Sequence, residues 1–133
     1  MKKFLFIFVL LITTAGNLQA ANWQLIDKNS EREVFFDRAT LQKTISGYRF
    51  TWLYNYYEQN SGGTRKRGYY KYQSFSFEHE INCKSGEARQ FSASPFAKAM
   101  GVEMIYKKET TQTWSMISET QSGLKSAYEI LCK

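Results

Sequence analysis

The sequence has 133 residues, 18 basic against 12 acidic side chains for a formal charge of +6, and aromatic side chains at 17%. That length holds one domain rather than two, and the mild basic excess favours anionic partners but marks no nucleic-acid binder, for which there is no motif. One histidine and two cysteines are too few for an ordinary four-ligand zinc site, and no cofactor is expected.

In chain order, Lys2 and Lys3 precede an uninterrupted apolar run from Phe4 to Ile12, followed by the polar Thr13 and Thr14 and an exit through Leu18 and Gln19 to Ala20. These are the basic, apolar and small-residue regions of a secretory signal peptide. A spanning helix needs roughly 20 apolar residues, so the segment is expected to be cut rather than retained. Residues 1–20 are then the signal peptide and 21–133 the functional domain, periplasmic or secreted to the cell surface. A bacterial lipoprotein would have cysteine where this chain has Ala21, and the first cysteine is Cys83, so no stable membrane anchor is expected. In an oxidising compartment Cys83 and Cys132 have one intramolecular pairing. The chain-entropy model gives such a bridge about 4 kcal/mol. A redox role finds no C-x-x-C motif to support it.

The segment Asn22 to Asp27 reads as a first strand and Glu33 to Asp37 as a second, with Lys28 to Arg32 as the turn between them. Arg38 to Leu41 forms one helical turn capped by Asp37. Tyr48 to Tyr57 is the clearest strand, with Tyr48, Phe50, Trp52, Tyr54 and Tyr56 on one face. Gln59 to Lys66, rich in Asn, Ser and Gly, reads as a hairpin loop. Tyr69 to Cys83 then places Phe75, Phe77, His79 and Ile81 on one face and Ser74, Ser76, Glu78 and Glu80 on the other. A tight turn at Lys84 to Glu87 leads into a strand from Ala88 to Ala93. Further strands are expected at Val102 to Tyr106 and Thr113 to Ile117. Leu124, Ala127, Tyr128 and Leu131 recur at helical spacing, with Ser118 or Thr120 as the cap. The expected fold is α+β: a single antiparallel sheet of about six strands, with a C-terminal helix packed on it and tied by one disulfide.

Catalysis finds little support. His79 shares its face with Phe75, Phe77 and Ile81 and reads as a core histidine, and Glu78 and Glu80 read as solubilising residues. No nucleophile elbow, phosphate-binding loop or metalloprotease motif is present. The best binding candidate is the basic and aromatic run Arg65, Lys66, Arg67, Tyr69, Tyr70, Lys71 and Tyr72, with Lys43 and Arg49 read as lying across the hairpin, because Tyr and Arg dominate binding hot spots. Its bland reading is a charged tip that discourages edge pairing.

The order of landmarks is the remaining signal: Trp23, the Val34-Phe35-Phe36-Asp37 step, the turn through Leu41, a long aromatic strand, Cys83 in mid-chain, Trp114 before the last helix and a terminal Cys132. This resembles the bacterial surface-adhesin protein E family over essentially all of the chain after residue 20. The resemblance implies a single antiparallel sheet, a helix held to it by Cys83 and Cys132, homodimerisation through the sheet, and binding of host matrix or serum proteins. The chain departs from the adhesin pattern at Ala21, where the lipidation cysteine is missing. An exported non-enzymatic binding protein with a protein or anionic polysaccharide partner is therefore expected. The alternative is a soluble periplasmic envelope protein, an inhibitor or assembly accessory, that binds a bacterial partner. A hydrolase using His79 or Glu78 ranks last.

Overall fold

Period-two alternation runs longest through two neighbouring segments, and the sheet is built around them. The computed structural model describes residues 20–133; the segment read as an export signal, Ala20 apart, lies outside the described residues. Strands β1 (Trp23–Lys28) and β2 (Arg32–Asp37) form a hairpin, and β3 (Gln42–Lys43) is a two-residue strand. Strands β4 (Gly47–Thr64) and β5 (Gly68–Asn82) make the central hairpin, followed by β6 (Glu87–Phe96), the short β7 (Lys108–Glu109) and β8 (Ser115–Met116), and the helix α1 (Ser122–Cys132). The path across the sheet is β1-β2-β4-β5-β6-β7, with β3 also on β4 and β8 on β6, and the pairings are antiparallel. The expected architecture, one antiparallel sheet with a C-terminal helix, is the one the chain adopts.

Register decides which side chains meet. Tyr48 lies opposite Ile81, Phe50 opposite His79 and Trp52 opposite Phe77, so the even residues of β4 and the odd residues of β5 share a face. Helix α1 covers part of that face. Leu124 and Ala127 are buried there in a core with Val34, Phe36, Phe50, Trp52 and Ile81. Each large side chain so buried contributes roughly 1.5–3 kcal/mol. Gly123 lets the helix come close, since a Cβ there would stand 2.8 Å from both Trp52 Cζ3 and Val34 Cγ1. The Cys83–Cys132 disulfide, with Cα atoms 5.3 Å apart, fastens the helix end beside β5. The Tyr128 hydroxyl donates to the Cys83 carbonyl at 3.1 Å.

The opposite face is partly closed by the chain after β6. Residues 97–103 fold back over Leu53 and Ser74 through a 3-10 turn at Ala99–Gly101. The Ser74 hydroxyl donates to the Lys98 carbonyl at 2.6 Å and accepts from the Gly101 N–H at 3.0 Å. The Met100 N–H donates to Asn55 Oδ1 at 2.9 Å. Farther along, Arg49 and Arg89 pair with Glu78 and Glu80, each at 2.6 Å, and lie over the Phe91 ring. Glu80 is buried, so these carboxylates hold the sheet face together rather than solubilising it.

Several boundaries differ from those read in the sequence. The Gln59 to Lys66 loop is mostly strand, because β4 continues to Thr64 and leaves only residues 65–67 as the tip. Strand β6 runs on past Ala93 to Phe96. Val102 to Tyr106 does not form a strand. The Ala97 and Lys98 N–H groups donate to the Glu103 and Val102 carbonyls and close a tight turn, Glu103 takes a φ of 62°, and only Met104 bridges to Phe96. The helix begins after Gln121, which makes no side-chain cap bond. Ser118 and Thr120 bond to each other at 2.8 Å instead of capping it.

Candidate binding site

At the far end of the central hairpin the ladder restarts after a register shift between Asn55 and Asn60, pairing Asn60 with Tyr72, Gly62 with Tyr70 and Gly63 with Tyr69. Gly63 and Gly68 flank the tip with φ of 96° and 84°, conformations that favour glycine. The Arg67 N–H donates to the Thr64 carbonyl at 3.1 Å and closes the turn. Arg65, Lys66 and Arg67 are exposed there, and the ion pairs among the described residues involve none of them.

The tyrosines of the run divide by position. Tyr69 is 76% exposed. Tyr70 lies flat over Gly62, where a Cβ would stand 2.7 Å from Tyr70 Cζ. Its hydroxyl is 3.0 Å from that of Tyr106, and the two rings meet edge to face at 5.6 Å. Burial, followed by this hydrogen bond, pushes the Tyr70 hydroxyl up to about 12, so it stays protonated across the physiological range. Tyr72 packs edge to face on Tyr56 and Phe75, and links Tyr70 to an aromatic row that continues through Phe77 to Trp52.

Between the tip and the chain after β6 lies a cavity of about 470 Å³ lined by Arg67, Tyr69, Tyr70, Ile105 and Tyr106. The structure thus brings Arg67, Tyr69 and Tyr70 to one hollow. Arg65, Lys66, Lys71 and Tyr72 do not line it. Ile105 and Tyr106 were absent from the sequence-based candidates; the apolar-aromatic end of the run read as a strand was their signal. Lys43 and Arg49 do not lie across this hairpin tip, because they sit near the opposite end of β4, Lys43 opposite Tyr48 in the ladder and Arg49 bonded to Glu78.

His79 is buried in the core, as its alternation implied. Its Nδ1 accepts a hydrogen bond from the Trp52 indole N–H at 3.0 Å, and burial lowers its pKa to about 4. A neutral, buried ring whose one acceptor nitrogen is already occupied is poorly placed to act as a base. Among the described residues no three His, Cys, Asp or Glu side chains come together in a way that could hold a metal ion.

A family model described as surface-adhesin protein E matches residues 23–133. The search of curated proteins found no match. Among solved structures, that of Haemophilus influenzae protein E aligns with a TM-score of 0.53 at 12% identity, covering 84% of this chain and 91% of that one. At so low an identity the likeness is one of fold. With the family model spanning nearly all of the described residues, the chain belongs to the surface-adhesin protein E family.

Proposed function

We propose that the chain is an exported, non-enzymatic binding protein whose contact surface is the Arg65–Tyr72 hairpin and whose partner is a protein or an anionic polysaccharide. The observation that carries this reading is the tip itself: three exposed cations outside the ion pairs of the described residues, beside a hollow walled by tyrosines. Tyrosine supplies rigid contact area and a hydroxyl, and arginine a forked donor that matches carboxylate or sulfate groups. Membership of a surface-adhesin family supports a binding role at the cell exterior. The sheet is also the surface through which the family resemblance suggests a homodimer.

Binding to immobilised heparin, laminin and vitronectin tests the reading. The Arg65→Ala, Lys66→Ala, Arg67→Ala triple variant is expected to lose at least about tenfold in affinity, corresponding to 1.4 kcal/mol, and the wild-type interaction to weaken as salt rises. Equal and negligible binding by both proteins would sink the adhesin reading.

A second reading, a soluble periplasmic protein that binds a bacterial partner, is favoured by one observation. Both cysteines of the sequence are joined to each other, leaving neither thiol to carry a lipid. Among the described residues no helix is long and apolar enough to cross a membrane. Cell fractionation separates the two readings: recovery in the soluble periplasm supports the second, and sensitivity to protease added to intact cells supports the first.

A further inference from the structure

The sheet face turned away from α1 holds a second cleft, of about 230 Å³, remote in residue make-up from the hairpin tip. Its floor is built from cross-strand steps of β4, β5 and β6. Thr51, Glu78 and Ser92 lie opposite one another in one row, and Ser76 and Ser94 in the next. A bulge between Glu78 and His79 leaves Phe91 unmatched in β6, and bulges re-aim the side chains beside them. Trp23 and Phe96 supply apolar walls, and Gly101, Met104 and Lys107 bring the returning chain to the rim.

Polar groups of this cleft are left with bonding capacity. Ser74, beneath the returning loop, is fully engaged by Lys98 and Gly101. Ser94 is only 3% exposed, yet its hydroxyl makes no hydrogen bond to another described residue. The one sealed side-chain atom without a partner among the described residues is Arg32 Nε, so the Ser94 hydroxyl opens onto the cleft that it lines. Asp37, 5% exposed, accepts from the Asn22 and Ala39 N–H groups with Oδ1, and its Oδ2 makes no hydrogen bond to another described residue. Glu78 accepts from Arg49 and, at 3.5 Å, from Ser92.

The lining carries both signs, Asp37 and Glu78 beside Lys107, while Arg49 and Glu109, outside it, pair with Glu78 and Lys107. An anion would meet the carboxylates, and a cation would meet Lys107. A wholly apolar ligand would bury hydroxyls with no partner, which is costly. The volume lies below the roughly 300–1,000 Å³ of drug-sized sites. From these observations we infer that the cleft is a subsite for one neutral sugar ring, set against Trp23 with its hydroxyls on Ser76, Ser94 and Oδ2 of Asp37.

Titration with glucose, galactose, mannose and N-acetylglucosamine, followed in amide NMR spectra of the labelled protein, tests this assignment. At least one of these sugars is expected to shift the Ser94 and Gly101 amides and the Trp23 indole N–H saturably. Ser94→Val is expected to weaken that binding about tenfold, the loss of roughly one uncharged hydrogen bond. Should Ser94→Val fail to fold, Ser76→Val, at a half-buried position, carries the same expectation. The Arg65, Lys66, Arg67 triple alanine variant is expected to bind the sugar as the wild type does. No shift with any of the four sugars, shifts confined to other residues, serine variants that bind like the wild type, or a response only to methylammonium or acetate would each overturn the inference.

Discussion

Protonating His79 in the folded chain would place a charge in the core, which is why burial lowers its pKa to about 4 from the ordinary 6.5. The unfolded chain therefore binds a proton on His79 at a pH where the folded chain does not. Its neutral form stabilises the fold fully above about pH 6.5, and that contribution drains away as pH falls toward 4 and changes no further below. The whole effect is about 3 kcal/mol, from the 1.36 kcal/mol that each pKa unit carries. Urea unfolding at pH 7 and pH 4.5 should show this loss in the wild type, and His79→Gln should flatten it. The burial of His79 was legible, because alternation put it beside Phe77 and Ile81. Its Trp52 partner was not, since pairing two strands requires their register, and a hairpin loop drawn from Gln59 to Lys66 leaves that register open.

Helix α1 depends on an absent side chain and on a covalent link. Gly123→Ala gains up to about 1 kcal/mol of helix propensity. Its Cβ, however, would crowd the buried Trp52 ring and Val34 at 2.8 Å, and overpacking costs typically 1–3 kcal/mol. A net loss of about 1 kcal/mol in urea unfolding is expected. Replacing both cysteines, Cys83→Ser with Cys132→Ser, frees a loop with a sequence separation of 49. The expected destabilisation is about 4 kcal/mol, read as a lower urea midpoint. The long strands and this helix were legible because their periods persist over many residues. Val102 to Tyr106 misled because its apolar composition mimics a strand, while the turn from Ala97 to Glu103 and the left-handed φ of Glu103 leave only Met104 paired. The helix start was misplaced because capping depends on where Ser118 and Thr120 point, and they point at each other.

Across the whole molecule the sheet has two working sides. One face takes α1 and the aromatic row, and the other takes the returning loop, the arginine pairs and the serine-lined cleft. The hairpin tip was visible in the sequence as a concentration of Arg, Lys and Tyr. Its partners Ile105 and Tyr106 were hidden, as was the cleft: Ser76 read as part of a polar strand face, and Ser94 lay beyond the strand expected to end at Ala93. That same stretch, Val102 to Glu109, is largely exposed and lies inside the ring closed by Cys83 and Cys132. A single proteolytic cut there would release nothing. The upstream piece would keep the central hairpin and β6, the downstream piece would keep α1, and the sulfur bridge would hold the two together until a reductant reached it. A domain exposed to proteases outside the cytoplasm can in this way be nicked and still remain one molecule.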